Sequence, residues 1–176
     1  MEPNVIAVRE IQESDIPLII NYWLSATDEY LLGMGAMRSK MPARDEWEKM
    51  FAEQLAADYP DKKAYCIIWL VNDRPVGHSN VNKIVFGQEA YMHLHLWDAS
   101  LRKSGYGAEL VKLTIPWYFK NLHLEKLYCE PYAHNPAPNK TMAKLGFRFV
   151  KTQINTPGYL NFEQETNLWE MDRPKE

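Results

Sequence analysis

The residues of this chain best suited to chemistry lie in a basic, glycine-bearing turn. The turn reads Leu-Arg-Lys-Ser-Gly-Tyr-Gly-Ala over residues 101–108. It follows an apolar, strand-like run at residues 91–97 and opens a helix-like run that begins near Gly105. The first N–H groups of a helix have no partner inside the helix, and the helix dipole adds partial positive charge there. The turn therefore suits a phosphate or a pyrophosphate group.

Histidines in the strand-like run before the turn are candidate acid–base groups. Side chains alternate along a strand, so His93, His95 and Trp97 share one face. Two histidines on one face could deprotonate an ammonium near neutral pH, directly or through water. Structural histidines satisfied by backbone partners would have the same spacing, so both interpretations stay open. His78 and His123 have no partner at useful spacing and are expected to be structural or solvent-exposed.

The elements that must position these residues follow from periodicity and turn chemistry. Strands are predicted at residues 5–11, 65–71, 76–85, 91–97, 126–130, 147–153 and 165–171. Helices are predicted after a Ser14-Asp15 cap, over residues 45–57, from Gly105 to about Leu122, and over residues 139–145. Residues 33–36 break the pattern and are predicted to be a mobile loop. This order predicts an α/β fold of the mixed α+β kind, with a central mixed β-sheet flanked by helices.

Length and composition narrow the class of protein. The 176 residues, 46% of them hydrophobic, fit a single domain over residues 1–176. The formal net charge is -3 and there is no basic block, so no nucleic-acid partner is expected. Apolar runs too short to span a bilayer and the lack of a secretory signal predict a cytoplasmic protein with no membrane partner. Cys66 and Cys129 are expected to be buried thiols rather than a disulfide or a metal site.

Two motifs carry a resemblance to a known family. Residues 102–107 fit a signature of Arg or Gln, two residues, Gly, one residue, then Gly or Ala. Residues 135–147 read Asn-Pro-Ala-Pro-Asn-Lys-Thr-Met-Ala-Lys-Leu-Gly-Phe, similar to an Asn-x-Ala-Ser segment followed by Lys-Leu-Gly-Phe. With the element order, these motifs resemble the GNAT superfamily of acetyl-CoA-dependent N-acetyltransferases along nearly the whole chain. The branch that it resembles most contains the ribosomal-protein N-terminal acetyltransferases.

The resemblance implies acetyl-CoA as cosubstrate, no metal, and a set of cofactor-binding positions. Arg102 and Lys103 are expected to add positive charge at the phosphates. The exposed strand edge at Leu96, Trp97 and Asp98 is expected to pair with pantetheine, and the Leu96 N–H to polarise the thioester carbonyl. Asn135 is expected to hydrogen-bond the pantetheine arm, the alternative being a buried asparagine at a helix entry. The backbone N–H groups expected to hold the pyrophosphate are those of Lys103, Ser104, Gly105, Tyr106, Gly107 and Ala108.

The sequence departs from the family pattern at two positions that matter for catalysis. Pro138 replaces a serine that contacts the cofactor, and Met142 replaces the tyrosine that usually protonates the departing thiolate. Tyr132 is the predicted substitute for that proton donor. Glu130, at the end of a predicted strand, is the rival to His93 and His95 as the general base.

The implied function is transfer of acetyl from acetyl-CoA to a primary amine by direct attack in a ternary complex. The acceptor, a small molecule or a peptide, could be a protein N-terminus, an amino acid, a polyamine or an aminoglycoside-like amine. The loop at residues 33–42 is expected to gate it, and the aromatic residues Trp23, Tyr30 and Trp47 suit either a cation–π site or simple packing. A homodimer is left open. The alternative is a non-catalytic acyl-CoA-binding or regulatory domain of the same fold, which Pro138 and Met142 favour.

Overall fold

The fold is a seven-stranded sheet with helices on both faces. The computed structural model describes residues 3–175. The strands are β1 (Ile6–Glu10), β2 (Tyr65–Val71), β3 (Arg74–Val85), β4 (Glu89–Leu96), β5 (Lys126–Cys129), β6 (Arg148–Asn155) and β7 (Gln164–Asp172). The helices are α1 (Ile16–Ser25), α2 (Asp28–Gly33), α3 (Arg44–Ala56), α4 (Tyr106–Asn121) and α5 (Pro136–Lys144). The strand order is β1-β2-β3-β4-β5-β7-β6, and β4 and β5 run parallel. The predicted mixed sheet flanked by helices is confirmed.

Strand β2 divides the interior into two apolar cores. All seven of its residues are buried, as expected for a strand that helices cover on both faces. Ile67 and Trp69 pack with α4 on one face of the sheet. Ile68 and Leu70 pack with α1 and α3 on the other face. The period of two along the strand thus supplies one apolar row to each core.

The segment between α2 and α3 differs from its prediction as a mobile loop. Residues 28–33 form helix α2, and the Thr27 hydroxyl accepts a hydrogen bond from the Tyr30 N–H at 3.1 Å. Ala36 is buried and forms a bridge with Asn161. The Gly35 carbonyl accepts a hydrogen bond from Gln164 Nε2 at 2.7 Å. Gly35 has a φ of +76°, and a Cβ there would lie 2.2 Å from Gln164 Oε1, so close packing rather than mobility defines this segment.

The sheet opens between β4 and β5. Their pairing ends at Met92 and Cys129, while β4 continues to Leu96. After β5 the chain follows β7 instead, since the Asn167 N–H donates to the Pro131 carbonyl at 3.1 Å. The proline has no N–H with which to extend a ladder. The result is a gap, with the free edge of β4 on one side and residues 130–135 on the other.

Candidate active site

The free edge of β4 presents backbone groups to the gap. The Trp97 N–H donates to the Val76 carbonyl on β3 at 2.8 Å. Backbone direction alternates along a strand, so the N–H groups of Leu94 and Leu96 point away from β3 and into the gap. This orientation suits the polarising role predicted for Leu96. Trp97 and Asp98 do not fit the predicted pairing with pantetheine, because the Asp98 N–H also donates to Val76, at 3.3 Å.

The glycine-bearing turn leaves a run of backbone amides free. Lys103 and Gly105 adopt left-handed conformations, with φ of 63° and 88°, and α4 begins immediately after them. Within the described part of the chain, no N–H from residue 103 to residue 108 donates a hydrogen bond. These amides surround the positive end of a 16-residue helix. The turn thus has the donors that an anionic group needs.

The Arg102 side chain does not face this turn. Its guanidinium donates to the Leu96 carbonyl at 3.2 and 2.9 Å and lies 4.4 Å from the centre of the Tyr30 ring. The prediction that Arg102 adds charge at the phosphates is therefore corrected: Arg102 ties the end of β4 to α2. The Lys103 side chain is exposed beside the turn and stays a candidate for that charge. Arg102 thus already covers one face of the Tyr30 ring.

Three histidines meet where β3 and β4 pair. The register sets His78 opposite His95 and Asn80 opposite His93. The rings of His78 and His95 stack, with centroids 4.8 Å apart. His78 is thus structural, as predicted, but the expectation that it lacks a partner is wrong.

Each of these histidines has a defined polar neighbour. Trp97 Nε1 donates to His78 Nδ1 at 2.8 Å. His93 Nε2 lies 2.9 Å from Asn82 Oδ1, so this nitrogen carries the ring proton. His95 Nδ1 lies 3.2 Å from the Tyr22 hydroxyl, which in turn lies 2.9 Å from that of Tyr30. These neighbours fix the orientation of all three rings.

Burial keeps the histidine cluster uncharged. Desolvation, with a smaller contribution from His93, lowers the pKa of His78 to about 3. Desolvation and the nearby Lys83 lower the pKa of His93 to about 4. The pKa of His95 falls well below its usual value, first from burial and then from its two histidine neighbours. All three are neutral at pH 7, and they accept a proton less readily than an exposed histidine would.

Glu130 lies across the gap from the histidines and is held by one oxygen. The residue is 7% exposed, and its Oε1 accepts hydrogen bonds from three side chains. These are Gln153 Nε2 at 3.1 Å, Thr166 Oγ1 at 2.9 Å, and Asn155 Nδ2. Its Oε2 accepts none from residues 3–175. The carboxylate is therefore fixed in place with one oxygen still available.

A small cavity of about 80 Å³ fills the gap and brings the predicted catalytic residues together. Its walls include His93, His95, Glu130 and Tyr132. The Tyr132 ring packs edge-on against Phe162 and His134. Asn135 also borders this cavity.

The Asn135 side chain is not used by the fold. It is half-exposed, and in the described chain it makes no capping hydrogen bond to α5. The alternative of a buried asparagine at the helix entry is therefore wrong. Met142 lies elsewhere, fully buried in the core beside α4, and is not part of the cavity wall.

A larger cavity of about 500 Å³ lies on the side of α1 and α3. It shares Met34, His93, His95 and Asn161 with the small cavity, so the two meet at the histidines of β4. Trp23 and Trp47 form part of its wall. The polar residues Asn80 and Asn82 also belong to its floor, and the sequence analysis did not identify them. Their alternation with His78 along one strand is the pattern that could have indicated them.

Comparison with known proteins establishes the family. The family model of the GNAT acetyltransferase domain matches residues 6–148. The chain belongs to the GNAT acetyltransferase family. It is therefore an acetyl-CoA-dependent N-acetyltransferase, which supports the catalytic interpretation over a non-catalytic one. No curated protein matches the sequence.

Solved structures of GNAT enzymes share the whole fold at low identity. The ribosomal-protein-S5-alanine acetyltransferase of Vibrio fischeri is 20% identical, with a TM-score of 0.77 over 98% of this chain and 95% of that one. The spermidine N-acetyltransferase of Vibrio cholerae, solved with CoA and spermine, is 14% identical, with a TM-score of 0.75 over 95% of each chain. An acetyltransferase of Salmonella typhimurium that modifies the N-terminal serine of ribosomal protein L7/L12 is 16% identical, with a TM-score of 0.74 over 96% and 95%. At these identities the likeness shows the fold alone.

Proposed function

We propose that this GNAT enzyme acetylates a primary amine at the junction of its two cavities, by direct attack on acetyl-CoA in a ternary complex. The observation that carries the proposal is the free oxygen of Glu130, fixed beside the open edge of β4. The turn amides lie at one end of this edge, and the large cavity opens at the histidines on its face. Cosubstrate and acceptor can thus approach one point from two sides.

The residues present fit acetyl-CoA. The free amides of residues 103–108 and the exposed Lys103 suit its pyrophosphate. The free N–H groups of Leu94 and Leu96 suit the pantetheine arm, which would add to the sheet as an extended strand, whereas the Leu96 carbonyl is already held by Arg102. The Leu96 N–H is the proposed donor to the thioester oxygen, on which negative charge develops during attack. The unused side chain of Asn135 is placed to bind the same arm.

Glu130 is the proposed general base. The attacking amine must lose a proton before its lone pair can react. A carboxylate attracts the ammonium form and accepts its proton through Oε2, directly or by way of one water. The lowered pKa of His93 and His95 makes them weaker candidates. As neutral rings beside the same cavity they orient the amine instead.

Tyr132 remains the proposed donor to the departing thiolate. Its ring borders the small cavity together with Glu130, and its hydroxyl donates to no side chain of the described residues. A CoA thiolate needs little help, because thiols ionise at about pH 8.5. We therefore expect Tyr132 to matter less for turnover than Glu130.

The cellular compartment and the oligomeric state are also proposals. The free, buried thiols of Cys66 and Cys129 fit the reducing cytoplasm. None of the helices in residues 3–175 is both long and apolar enough to cross a membrane. The spermidine enzyme of Vibrio cholerae has a dodecameric structure, whereas a homodimer of the present chain stays a prediction.

Replacing Glu130 by Gln tests the base. The amide keeps the volume and can still accept hydrogen bonds at one oxygen, but it cannot take up the proton. We expect kcat to fall about 100-fold or more, with the Kd for CoA unchanged. Thiol release from acetyl-CoA measures turnover, and calorimetry measures CoA binding. Glu165→Gln is the matched control, because Glu165 is an exposed residue of β7 outside both cavities. Unchanged kcat in Glu130→Gln would transfer the base role to His95 or to water.

A further inference from the structure

The cavity between α1, α3 and the sheet has the size and position of an acceptor site. Its volume of about 500 Å³ lies within the usual range for small-molecule pockets. His93 and His95 form part of its wall and also border the small cavity that holds Glu130. A molecule bound here therefore presents one end to the reacting centre, while the rest of it contacts the large cavity.

The wall of this cavity is aromatic and apolar. The accessible apolar surface of this wall comes from Met50, Phe51 and Leu55. Trp23 and Trp47, with ring centroids 6.4 Å apart, are only 8% and 1% exposed and support that surface. The Trp47 Nε1 donates to the Tyr159 hydroxyl at 2.9 Å. The indole is therefore fixed by packing and by a hydrogen bond. Such a surface favours a flat apolar group through area burial and ring stacking.

The floor of the cavity is polar but uncharged. Asn80 lies between His78 and Asn82 on the same face of β3. Its side chain makes no hydrogen bond to another described residue, whereas Asn82 is engaged by His93. Asn80 can therefore hydrogen-bond a neutral polar atom of the ligand. The floor residues of β3 and β4 include no carboxylate, so they offer no counter-ion to a second ammonium group.

Three charged side chains belong to the described lining of this cavity. They are Glu53, Lys62 and Lys63, so the cations outnumber the anion. Glu53 lies 4.0 Å from Lys49 Nζ, and Lys62 Nζ donates to the Gln54 carbonyl. A polyamine would bring several ammonium groups next to apolar walls and lysines. Removing an unpaired ammonium from water costs more free energy than a cation–π contact returns.

From this arrangement we propose that the acceptor is a small primary monoamine carried on a flat apolar body, a proposal that rests on the function proposed above. The apolar body lies along Phe51, Met50 and Leu55. The amine lies at His93 and His95, within reach of Glu130. The nitrogen forms a bond to the thioester carbon, and the carbon–sulfur bond breaks with its electron pair left on sulfur. Glu130 takes one proton from the ammonium before attack. The second proton leaves the nitrogen as the amide forms and balances the one that Tyr132 gives to the thiolate, so the products are the amide and CoA as its thiol.

An amine panel tests the acceptor class. Thiol release from acetyl-CoA is measured with 2-phenylethylamine, tryptamine, spermidine, kanamycin and a short peptide with a free N-terminal alanine. We expect kcat/KM for the two aromatic monoamines to exceed that for spermidine and kanamycin at least about 100-fold. Higher kcat/KM with spermidine, kanamycin or the peptide would overturn the acceptor class and leave the proposed function standing. No release from any amine, with CoA binding intact, would overturn both.

A substitution in the cavity wall tests whether the preference for aromatic monoamines arises in this cavity. Phe51 is half-buried in the wall, so Phe51→Ala should remove apolar contact without unfolding the chain. We expect the KM for tryptamine to rise about tenfold with kcat retained, since binding is lost equally in the ground and transition states. Phe149→Ala is the matched control, because Phe149 is an exposed phenylalanine of β6 outside both cavities. An unchanged KM in Phe51→Ala, with CoA binding as in the parent enzyme, would overturn the assignment.

Discussion

Three side chains converge on one oxygen of Glu130. Gln153 and Asn155 come from β6 and Thr166 comes from β7, so two strands distant in sequence hold a carboxylate that follows β5. Hydrogen bonds to an ionised oxygen are among the stronger ones in proteins. They offset part of the cost of burying the charge, and they leave Oε2 to the cavity. A strand-end glutamate becomes a candidate base through these contacts, none of which is visible in its sequence neighbourhood.

Met142 departs from the family pattern at a position that belongs to the core rather than to the wall of the small cavity. Its side chain is 0% exposed and belongs to the core beside α4. The position is therefore an apolar packing position in this chain. A tyrosine introduced there would have to fit a longer side chain and a hydroxyl into the same space.

We predict that Met142→Tyr destabilises the fold and does not raise turnover. Overpacking and a buried hydroxyl without a partner should together lower the free energy of unfolding by about 2–4 kcal/mol. Met142→Leu, which nearly conserves volume, should cost less than about 1.5 kcal/mol. Urea denaturation measures the stabilities, and thiol release measures kcat. A Met142→Tyr enzyme with raised kcat and parental stability would show that this position does reach the departing sulfur.

At the scale of elements, a turn with Gly105 in a left-handed conformation directly precedes α4 and lies at the positive end of its helix dipole. Gly105 has a φ of +88°, which L-residues rarely adopt, and a Cβ built on it would meet no atom of the chain within 4 Å. The glycine is thus not required by packing inside the protein. It is required by the conformation that leaves the amides of residues 103–108 without partners.

We predict that Gly105→Ala weakens CoA binding more than it weakens the fold. Strain at positive φ should lower the free energy of unfolding by about 1 kcal/mol. The Cβ and the altered amide directions should raise the Kd for CoA at least about tenfold, because the open side of the turn is the side that the ligand approaches. Calorimetry measures the Kd and urea denaturation the stability.

Gly87→Ala separates strain from ligand contact. Gly87 has a φ of +78°, and a Cβ built there also meets nothing within 4 Å, but it lies in the hairpin turn before β4. It should show the same loss of stability with an unchanged Kd for CoA. Equal Kd values in Gly105→Ala and the parent enzyme would remove the turn from the cofactor site.

The sequence predicts elements best where local pattern and tertiary position agree. Strand β2 lies at residues 65–71 as predicted, because a short apolar run bounded by turn residues is what a strand buried on both faces requires. Helix α5 begins at Pro136 rather than at residue 139, because prolines that indicate a loop are also tolerated in the first turn of a helix. Helix α2 has six residues, too few for a periodicity to show.

The register between neighbouring strands could not be predicted from the sequence. The pairing of His78 with His95 depends on how β3 and β4 align across the turn, and the register shifts between Asn82 and Val85. One residue more or less in that bulge would move every side chain of one strand to the opposite face. The sequence shows that His93 and His95 share one face of a strand. It does not show that His78 joins them, because that depends on the geometry of the β3–β4 hairpin.

On the scale of the whole molecule, the two faces of the sheet have different roles. The side of α4 is a solid core, and the side of α1 and α3 contains the cavity of about 500 Å³. Strand β4 borders both cavities and continues into the turn that opens α4. The half-buried His93 and His95 line this boundary beside the buried His78, and all three are uncharged, so the stability of the whole fold is linked to the protonation state of the site.

We predict that the free energy of unfolding decreases as the pH falls from about 6.5 toward 4. A histidine ionises near pH 6.5 in the unfolded chain, whereas folding lowers the pKa of His78 to about 3 and that of His93 to about 4. Between these values the unfolded state binds more protons than the folded state, so acid favours unfolding. Above pH 6.5 both states are neutral at these residues and the stability they confer is fully present. Each histidine should contribute a slope of at most about 1.4 kcal/mol per pH unit.

Urea denaturation at pH 7, 6, 5 and 4 measures this slope, and His78→Asn should reduce it by up to one proton. His78 is 3% exposed, so the variant should also be less stable at pH 7, but that offset does not change the slope. His123→Asn is the control, because His123 is exposed and its φ of 52° is one that asparagine tolerates well. Its slope should match that of the parent enzyme. If His78→Asn kept the full parental slope, the acid sensitivity would have to arise from groups outside the stacked pair, and His78 would not be held neutral by burial.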